Sequence, residues 1–363
     1  DVAVGSHILE CHIDGDRMPV DNHRWIAFNT RSAIRVLLVE GSQSNAELLQ
    51  LVFAPEFPMG RQVLTRRVDK TEFTEVDIAT FDAVVLCDVP SFDRGDITRI
   101  SDFLHRGGTL FIFAGSSANI ENYNQWTWES PFRMGLIPEE MGIPFDLPNE
   151  SIIIAESDHP ILELFDDDLL LSLEQLPIST ARSFVPKSEV GKTILSLPGG
   201  EAIYTHFKAG AGSAFVMTTD VSADSDWSEV VTWPVFLPLI HESLNYSMRM
   251  LDQARSYSVG DSVLRVVSVP TRNARLELTL PNEQQRSATL EPFQESSSWE
   301  FDETNLSGVY LVEYDEPINK QEQFVVNVVT AESKLRPYDQ DLEAAGLRLE
   351  DDVELSIVSI QSS

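Results

Sequence analysis

Four side chains in this sequence are of a type and in a setting to act as a nucleophile or a base: Cys87, Ser116, His159 and His206. Cys87 precedes Asp88 at the end of an apolar run, FDAVVLCDV. A cysteine attacks only as its thiolate, and a base or a helix N-terminus must lower its pKa first. No histidine stands near Cys87 in sequence, so a buried structural thiol is the better reading. Ser116 and Ser117 close the stretch GGTLFIFAGSS, residues 107–117, where an apolar run ends in a small-residue turn. In an α/β sheet, a strand-to-helix turn of this kind is where a nucleophile is displayed, and G-x-S-x-G marks it. Residues 114–119 read AGSSAN and lack the second glycine. The simpler reading is a tight turn with a serine capping the next helix. Its backbone N–H groups could hold an anion, although the negative charge of the chain makes that less attractive.

His159 sits in DHPILELF, and a histidine before a proline is usually a cap or turn residue. His206, in YTHFKAG, is expected to face the same sheet edge as Cys87 and Ser116. His241 and Glu242 are adjacent on an apolar-periodic stretch, so they point in different directions. LPLIHESLN has no second histidine four residues on, and H-E-x-x-H would have been the metal signal. Asp166, Asp167 and Asp168 lack the alternate spacing and glycine of a calcium loop. Trp227 and Trp233 read as packing anchors. No metal site and no cofactor are expected.

The elements that would position these groups follow from periodicity. AIRVLLVEG, FDAVVLCDV and GGTLFIFAG are continuous apolar runs, the mark of central parallel strands. RQVLTRRV reads as a further strand. SNAELLQLVFAP and DRGDITRISDFLHRGG carry apolar residues at helical spacing, the second closed by its glycines. This alternation predicts an α/β, doubly wound, flavodoxin-like sheet over residues 33–256. Residues 120–200 read as an irregular excursion over the strand ends. GGEAIYTHFKAG and GSAFVMTTD follow as a hairpin returning to the sheet, and WPVFLPLIHESLNYSMRML as a closing helix. Residues 257–330 are short alternating strands, DSVLRVVSV to EQFVVNVV, and predict an immunoglobulin-like β-sandwich. Residues 1–32 hold two alternating segments, HILECHI and RWIAFNT, around the turn DGDRMPVDN. These read as the last strands of a truncated β domain that pair on a neighbouring domain or on another molecule. Residues 331–363 read as a polar tail, with DQDLEAAG as a short helix and VELSIVSI as an edge strand or chain end.

Composition narrows the function. Asp and Glu number 58 against 26 Lys and Arg, giving a net charge of −32 in 363 residues and a pI near 4.4. That balance disfavours nucleic acid and anionic membrane surfaces as direct partners. No apolar run reaches the roughly 18 residues of a membrane helix, so the chain is either soluble or the soluble piece of a longer protein. The two cysteines, Cys11 and Cys87, fall in different predicted domains, so a disulfide between them is not expected.

Taken in order, GDRMPVDNHRWIAF, IRVLLVEG, FDAVVLCDVPSF, FLHRGGTLFIFAG and YNQWTW resemble the C-terminal half of aerotolerance-operon (BatA-like) bacterial membrane proteins. AGAGSAFVMTTDVSADSDW and WPVFLPLIHESLNY fit the same pattern, over roughly residues 10 to 330. The resemblance implies a trimmed segment of a larger anchored protein, carrying a class I glutamine amidotransferase-like domain. That domain's Cys-His-Glu triad does not carry over, because serine stands at 116 and no His-x-Glu precedes the closing helix. D-x-S-x-S, the metal motif of the von Willebrand domain often found upstream, is absent too; Asp224-Ser225-Asp226 is not it. The first expectation is therefore a non-catalytic interaction or scaffold segment of an envelope protein, leaning to the periplasm, with the cytoplasm the other location. Its partners would be other envelope proteins, other domains of the same chain, or a second copy through the N-terminal strands. A hydrolase or amidotransferase-like enzyme at the sheet edge near Ser116 and Cys87 is the alternative. The third reading is a carbohydrate- or peptide-binding module using Tyr123, Trp126 and Trp128.

Overall fold

The computed structural model describes residues 3–13, 22–41, 46–55, 62–127, 136–147, 152–186, 191–222, 225–253, 255–267, 274–293 and 296–329. Trp128, the tail elements expected over 331–363 and most of the turn DGDRMPVDN lie outside the described residues. The chain opens with β1 (Gly5–His12) and β2 (His23–Thr30). Next come β3 (Ile34–Glu40), α1 (Glu47–Phe53), β4 (Val63–Asp69), α2 (Lys70–Phe73), β5 (Ala83–Cys87), α3 (Arg94–His105), β6 (Thr109–Phe113) and α4 (Ile120–Asn124). Then follow β7 (Pro144–Asp146), β8 (Ile153–Ile154), α5 (Asp167–Glu174), β9 (Thr180–Arg182), β10 (Gly191–Ser196), β11 (Ala202–Ala209), β12 (Gly212–Met217) and α6 (Phe236–Gln253).

Eight strands form one sheet in the order β4-β3-β5-β6-β12-β11-β10-β8, and the first five are parallel. Numbered within that parallel half, the order is 2-1-3-4-5, so the winding reverses between β3 and β5. Every residue of β5 and β6 is buried, as strands covered on both faces must be. Along β3 the faces alternate. Val36 and Leu38 join a core with α1 and α6, while Leu37 and Val39 join a second core with α3. Helix α3 lays Ile97, Ile100, Phe103 and Leu104 on that second core. It starts in a capping box, in which Asp93 and Asp96 each accept the other's backbone N–H. It stops at Gly107, whose φ of +98° suits glycine. The helix after the AGSS turn is capped by Asn119, which accepts from the Asn122 amide at 3.2 Å, and not by a serine. α4 begins three residues past Ser117, so its N-cap position falls on Asn119.

The described residues after α6 form strands only: β13 (Ser256–Ser258), β14 (Val263–Val267), β15 (Arg275–Thr279), β16 (Gln285–Thr289), β17 (Glu291–Phe293), β18 (Ser296–Phe301), β19 (Gly308–Tyr314) and β20 (Lys320–Asn327). A five-stranded and a three-stranded sheet share one core, where Val263, Trp299 and Phe301 meet Leu276, Leu278, Tyr310 and Phe324. β1 and β2 pair only with each other among the described residues, from Gly5–Thr30 to His12–His23. They reach the neighbouring unit through side chains instead of extending its sheet. The Trp25 amide donates to Asn327 Oδ1 at 2.8 Å, and Asn327 Nδ2 donates to the Trp25 carbonyl at 2.9 Å. No helix among the described residues is long and apolar enough to cross a membrane.

Candidate functional site

Ligands of doubly wound sheets lie beyond the carboxyl ends of the strands, at the winding reversal. Here the two backbones run close together just past the strand ends. The Gly41 amide donates to the Cys87 carbonyl at 2.9 Å, and a Cβ at Gly41 would stand 1.8 Å from the Asp88 carbonyl oxygen. Glu40, the last residue of β3, pairs with Arg67 at 2.7 Å. Asp88 then turns the chain with a φ of +47°, which costs a non-glycine residue on the order of 1 kcal/mol.

That turn aims the Asp88 carboxylate, 3% exposed, at the AGSS turn after β6. The Ser117 amide donates to both of its oxygens at 3.0 Å, and the Ala118 amide to Oδ1 at 3.0 Å. A second carboxylate, Asp220, lies just past the end of the parallel neighbour β12 and accepts from the Ser222 amide and hydroxyl at 2.9 Å. Gly115 is wedged between the two carboxyl groups. A Cβ there would meet Asp220 Cγ at 2.6 Å and Asp88 Cγ at 2.8 Å. Arg182, 4% exposed, covers the carbonyl side of the same turn. Its Nε donates to Ala114 O at 3.2 Å, and one Nη to Gly115 O at 2.6 Å and Ala118 O at 3.0 Å. Trp227 lies against the guanidinium, 5.2 Å from ring centre to Cζ.

The electrostatics follow from this enclosure. Burial lifts the Asp88 carboxyl above the usual aspartate range and outweighs the hydrogen bonds from Ser117 and Ala118; the Asp220 charge adds to the lift. Burial lowers the Arg182 guanidinium, opposed by the charges of Asp88, Tyr123 and Asp220. Burial also pushes the Cys87 thiol well up, helped by Glu40, Asp88 and Asp220, which is the reverse of what a nucleophilic thiolate needs. Ser116 and Ser117 are exposed. If Ser116 were a nucleophile, the Ser117 amide would be its oxyanion donor. Asp88 already occupies that amide.

The other two candidates meet elsewhere. His159 Nε2 lies 3.4 Å from His206 Nδ1, and His206 Nε2 lies 3.2 Å from Ser213 Oγ. On contacts alone this is a Ser-His-His array. The backbone decides its tautomers, because the Ile161 amide donates to His159 Nδ1 at 3.3 Å. Nδ1 is therefore an acceptor, and Nε2 carries the proton and gives it to His206 Nδ1. His206 in turn holds its proton on Nε2, facing Ser213. A base for Ser213 would need that nitrogen bare.

The structure thus brings Ser116 close to Asp88, and His159 close to His206, but keeps the two groups apart. His206 pairs across β12 Phe215 to β6 Phe111, two residues below the end of β6. That places it roughly 7 Å down the sheet and about 10 Å across from the turn. The expectation that His206 faces the sheet edge is corrected: β11 runs down from that edge, and residue 206 falls at mid-sheet. Tyr123 is also corrected as a groove residue. It is fully buried, donates to the Val89 carbonyl at 2.7 Å and packs on Phe92. Trp126 is part-buried against the same core. His159 caps a short turn over Pro160–Leu162, and His241 Nε2 meets the Val52 carbonyl at 2.7 Å. Sequence reading passed over Arg182, Asp220, Gly115 and Ser213. One signal was available for Asp220: VVLCD and FVMTTD both end an apolar run in aspartate.

No family model matches the chain, and no curated protein is similar to it. Among solved structures it is similar to a cytoplasmic protein of Salmonella typhimurium LT2, at 14% identity and a TM-score of 0.45, over 59% of this chain and 99% of that one. It is also similar to a protein described as ThuA-like from Bacteroides uniformis ATCC 8492, at 13% identity and a TM-score of 0.42, over 60% and 94%. A β-galactosidase from Rahnella sp. R3 matches at 13% identity and a TM-score of 0.37, over 75% of this chain and 42% of the enzyme. Identities and scores this low carry neither activity nor substrate over to this chain.

Proposed function

We propose that this chain is a non-catalytic interaction or scaffold segment of a membrane-anchored bacterial envelope protein of the BatA-like kind, working in the periplasm. In this reading its α/β unit is a glutamine amidotransferase-like domain without a reaction, and its last sheets are an immunoglobulin-like sandwich. The observation that carries the reading is the Asp88 carboxylate seated on the Ser117 and Ala118 amides, with Arg182 on the carbonyls of the same turn. A turn that has filled its own anion site has no donors left for a tetrahedral intermediate. The surface offered for contact is the β1–β2 ribbon. Leu9 and Ile26, opposite each other, are 55% and 50% exposed, and β1 has no second strand neighbour among the described residues. Open apolar edges of this kind recruit other polypeptides.

Two measurements test the proposal together. A fluorophosphonate probe should leave Ser116 unlabelled, and labelling that disappears in Ser116→Ala would sink the non-catalytic reading. A photo-crosslinking residue at Leu9 should join the ribbon to a second polypeptide chain, either another copy or an envelope protein. The same residue at exposed Asn282 should not. Equal yields at the two positions would remove the ribbon as an interaction surface.

A further inference from the structure

Two buried histidines lie in direct contact, with no carboxylate bonded to either ring among the described residues. We propose that His159 and His206 form a proton-operated latch, which fastens the segment from Ile153 to Phe165 onto the sheet when both rings are neutral and releases it in acid. The segment starts as the edge strand of the sheet, with backbone pairing on one side only among the described residues and α5 packed against it. β8 pairs with β10, the Ala155 amide donates to Ile194 O at 2.9 Å, and Glu156 pairs with Lys192 at 3.6 Å. The histidine contact is the next link along the chain. Beyond it, Ile161, Leu162 and Phe165 enter the core that α6 also covers.

The hydrogen-bond chain runs one way: Ile161 N–H to His159, His159 to His206, His206 to Ser213. A proton added to His159 lands on Nδ1 and points at the Ile161 N–H. One added to His206 lands on Nδ1 and points at the His159 Nε2–H. Either event sets two donors face to face at 3.3–3.4 Å. The charged groups around the pair add to the penalty. Lys192 from β10 disfavours a cation on both rings, and Lys208 from β11 on His206, while Glu156 favours one on His159. Tyr246 of α6, with its phenol held above the usual range, stays neutral and packs 5.1 Å from each ring centre. Ser213 and Phe215 of β12 complete the surroundings without a charge. Burial comes first for both rings, followed by Lys192 for His159 and by His159 and then the two lysines for His206; together these hold His159 down at about 4 and His206 at about 3, against 6.5 for a free histidine. The released segment therefore takes up protons that the latched one refuses. From pH 6.5 down to about 4, the opening constant rises by up to tenfold per pH unit for each histidine.

Amide hydrogen exchange of the intact chain tests this, with rates corrected for intrinsic pH dependence and read on peptides covering 153–165. Between pH 7 and pH 4.5 their opening constant should rise at least tenfold relative to peptides from β5 and β6. His159→Asn keeps an acceptor for the Ile161 amide, His206→Gln keeps a neutral polar group, and neither titrates. The double variant should show no such rise. An unchanged wild-type opening constant, or an equal rise in the double variant, overturns the latch. If the double variant does not fold, nitrogen-15 spectra of the wild-type imidazoles decide. Both rings should be neutral with the proton on Nε2 at pH 6, and an imidazolium or an Nδ1–H tautomer at that pH rejects the mechanism.

Discussion

Asp88 and Ser117 are joined by the strand-end geometry of the sheet: both oxygens of the buried carboxylate sit 3.0 Å from one backbone amide. Across the turn Arg182 balances that charge and holds three carbonyls. Acceptor and cation thus hold the amide side and the carbonyl side of one buried turn.

Asp88→Ala leaves the Ser117 and Ala118 amides unpaired and Arg182 short of a counter-charge. A loss of about 2–3 kcal/mol is expected, within the range for leaving buried amides without their acceptor. Asp88→Asn, which keeps one acceptor, should lose less, about 1–2 kcal/mol. Urea unfolding followed by tryptophan fluorescence measures both, and equal midpoints for wild type and Asp88→Ala would refute the coupling.

Gly115→Ala adds a Cβ within 2.6 Å of one carboxyl carbon and 2.8 Å of another. Overpacking of this kind costs about 1–3 kcal/mol. Gly199, where a Cβ meets nothing within 4 Å, is the control, and Gly199→Ala should be close to neutral in the same unfolding experiment.

The two thiols should differ sharply. Cys11 is exposed and Cys87 is buried with its thiol held up by burial and three carboxylates. A thiol reagent should titrate one group in the native protein and two in denaturant. Fast labelling of Cys87 in the folded chain would contradict its burial.

Stability should fall on the acid side through the histidines. Their folded values, about 4 and about 3, lie below the free value of 6.5, so their contribution is complete above pH 6.5 and is lost as pH drops toward those values. Each contributes a slope of up to about 1.4 kcal/mol per pH unit in that window. The raised Asp88 acts in the opposite sense: its contribution is present below the free aspartate value and lost as pH rises through its own. Denaturant midpoints between pH 7 and pH 4.5 should therefore slope steeply in wild type and flatten in His159→Asn/His206→Gln.

Much of the α/β unit was legible because a strand covered on both faces leaves almost no polar residue in its run. AVVLC and TLFIF can be little else, and the capping box of α3 sits where Asp93 and Asp96 are spaced to form it. Arg182 was illegible for the opposite reason. Its partners are backbone carbonyls 64–68 residues earlier, and a carbonyl has no signature in a sequence. His206 was misplaced because nothing in YTHFKAG says that its strand descends from the edge. Tyr123 reads as a surface aromatic until the Val89 carbonyl is seen to take its hydroxyl.

The carboxamide of Asn327, at the end of β20, grips both backbone groups of Trp25, doing for β2 what a neighbouring strand would do. Arg255 adds a second hold on Asn29 at 2.9 Å. An attachment through side chains carries tension from the ribbon into β20 but resists rotation weakly, because no ladder of backbone bonds fixes the angle. Mechanically, the ribbon is tethered like a toggle, and a load placed on it would be shared between the terminal β unit and α6, which also packs against β2.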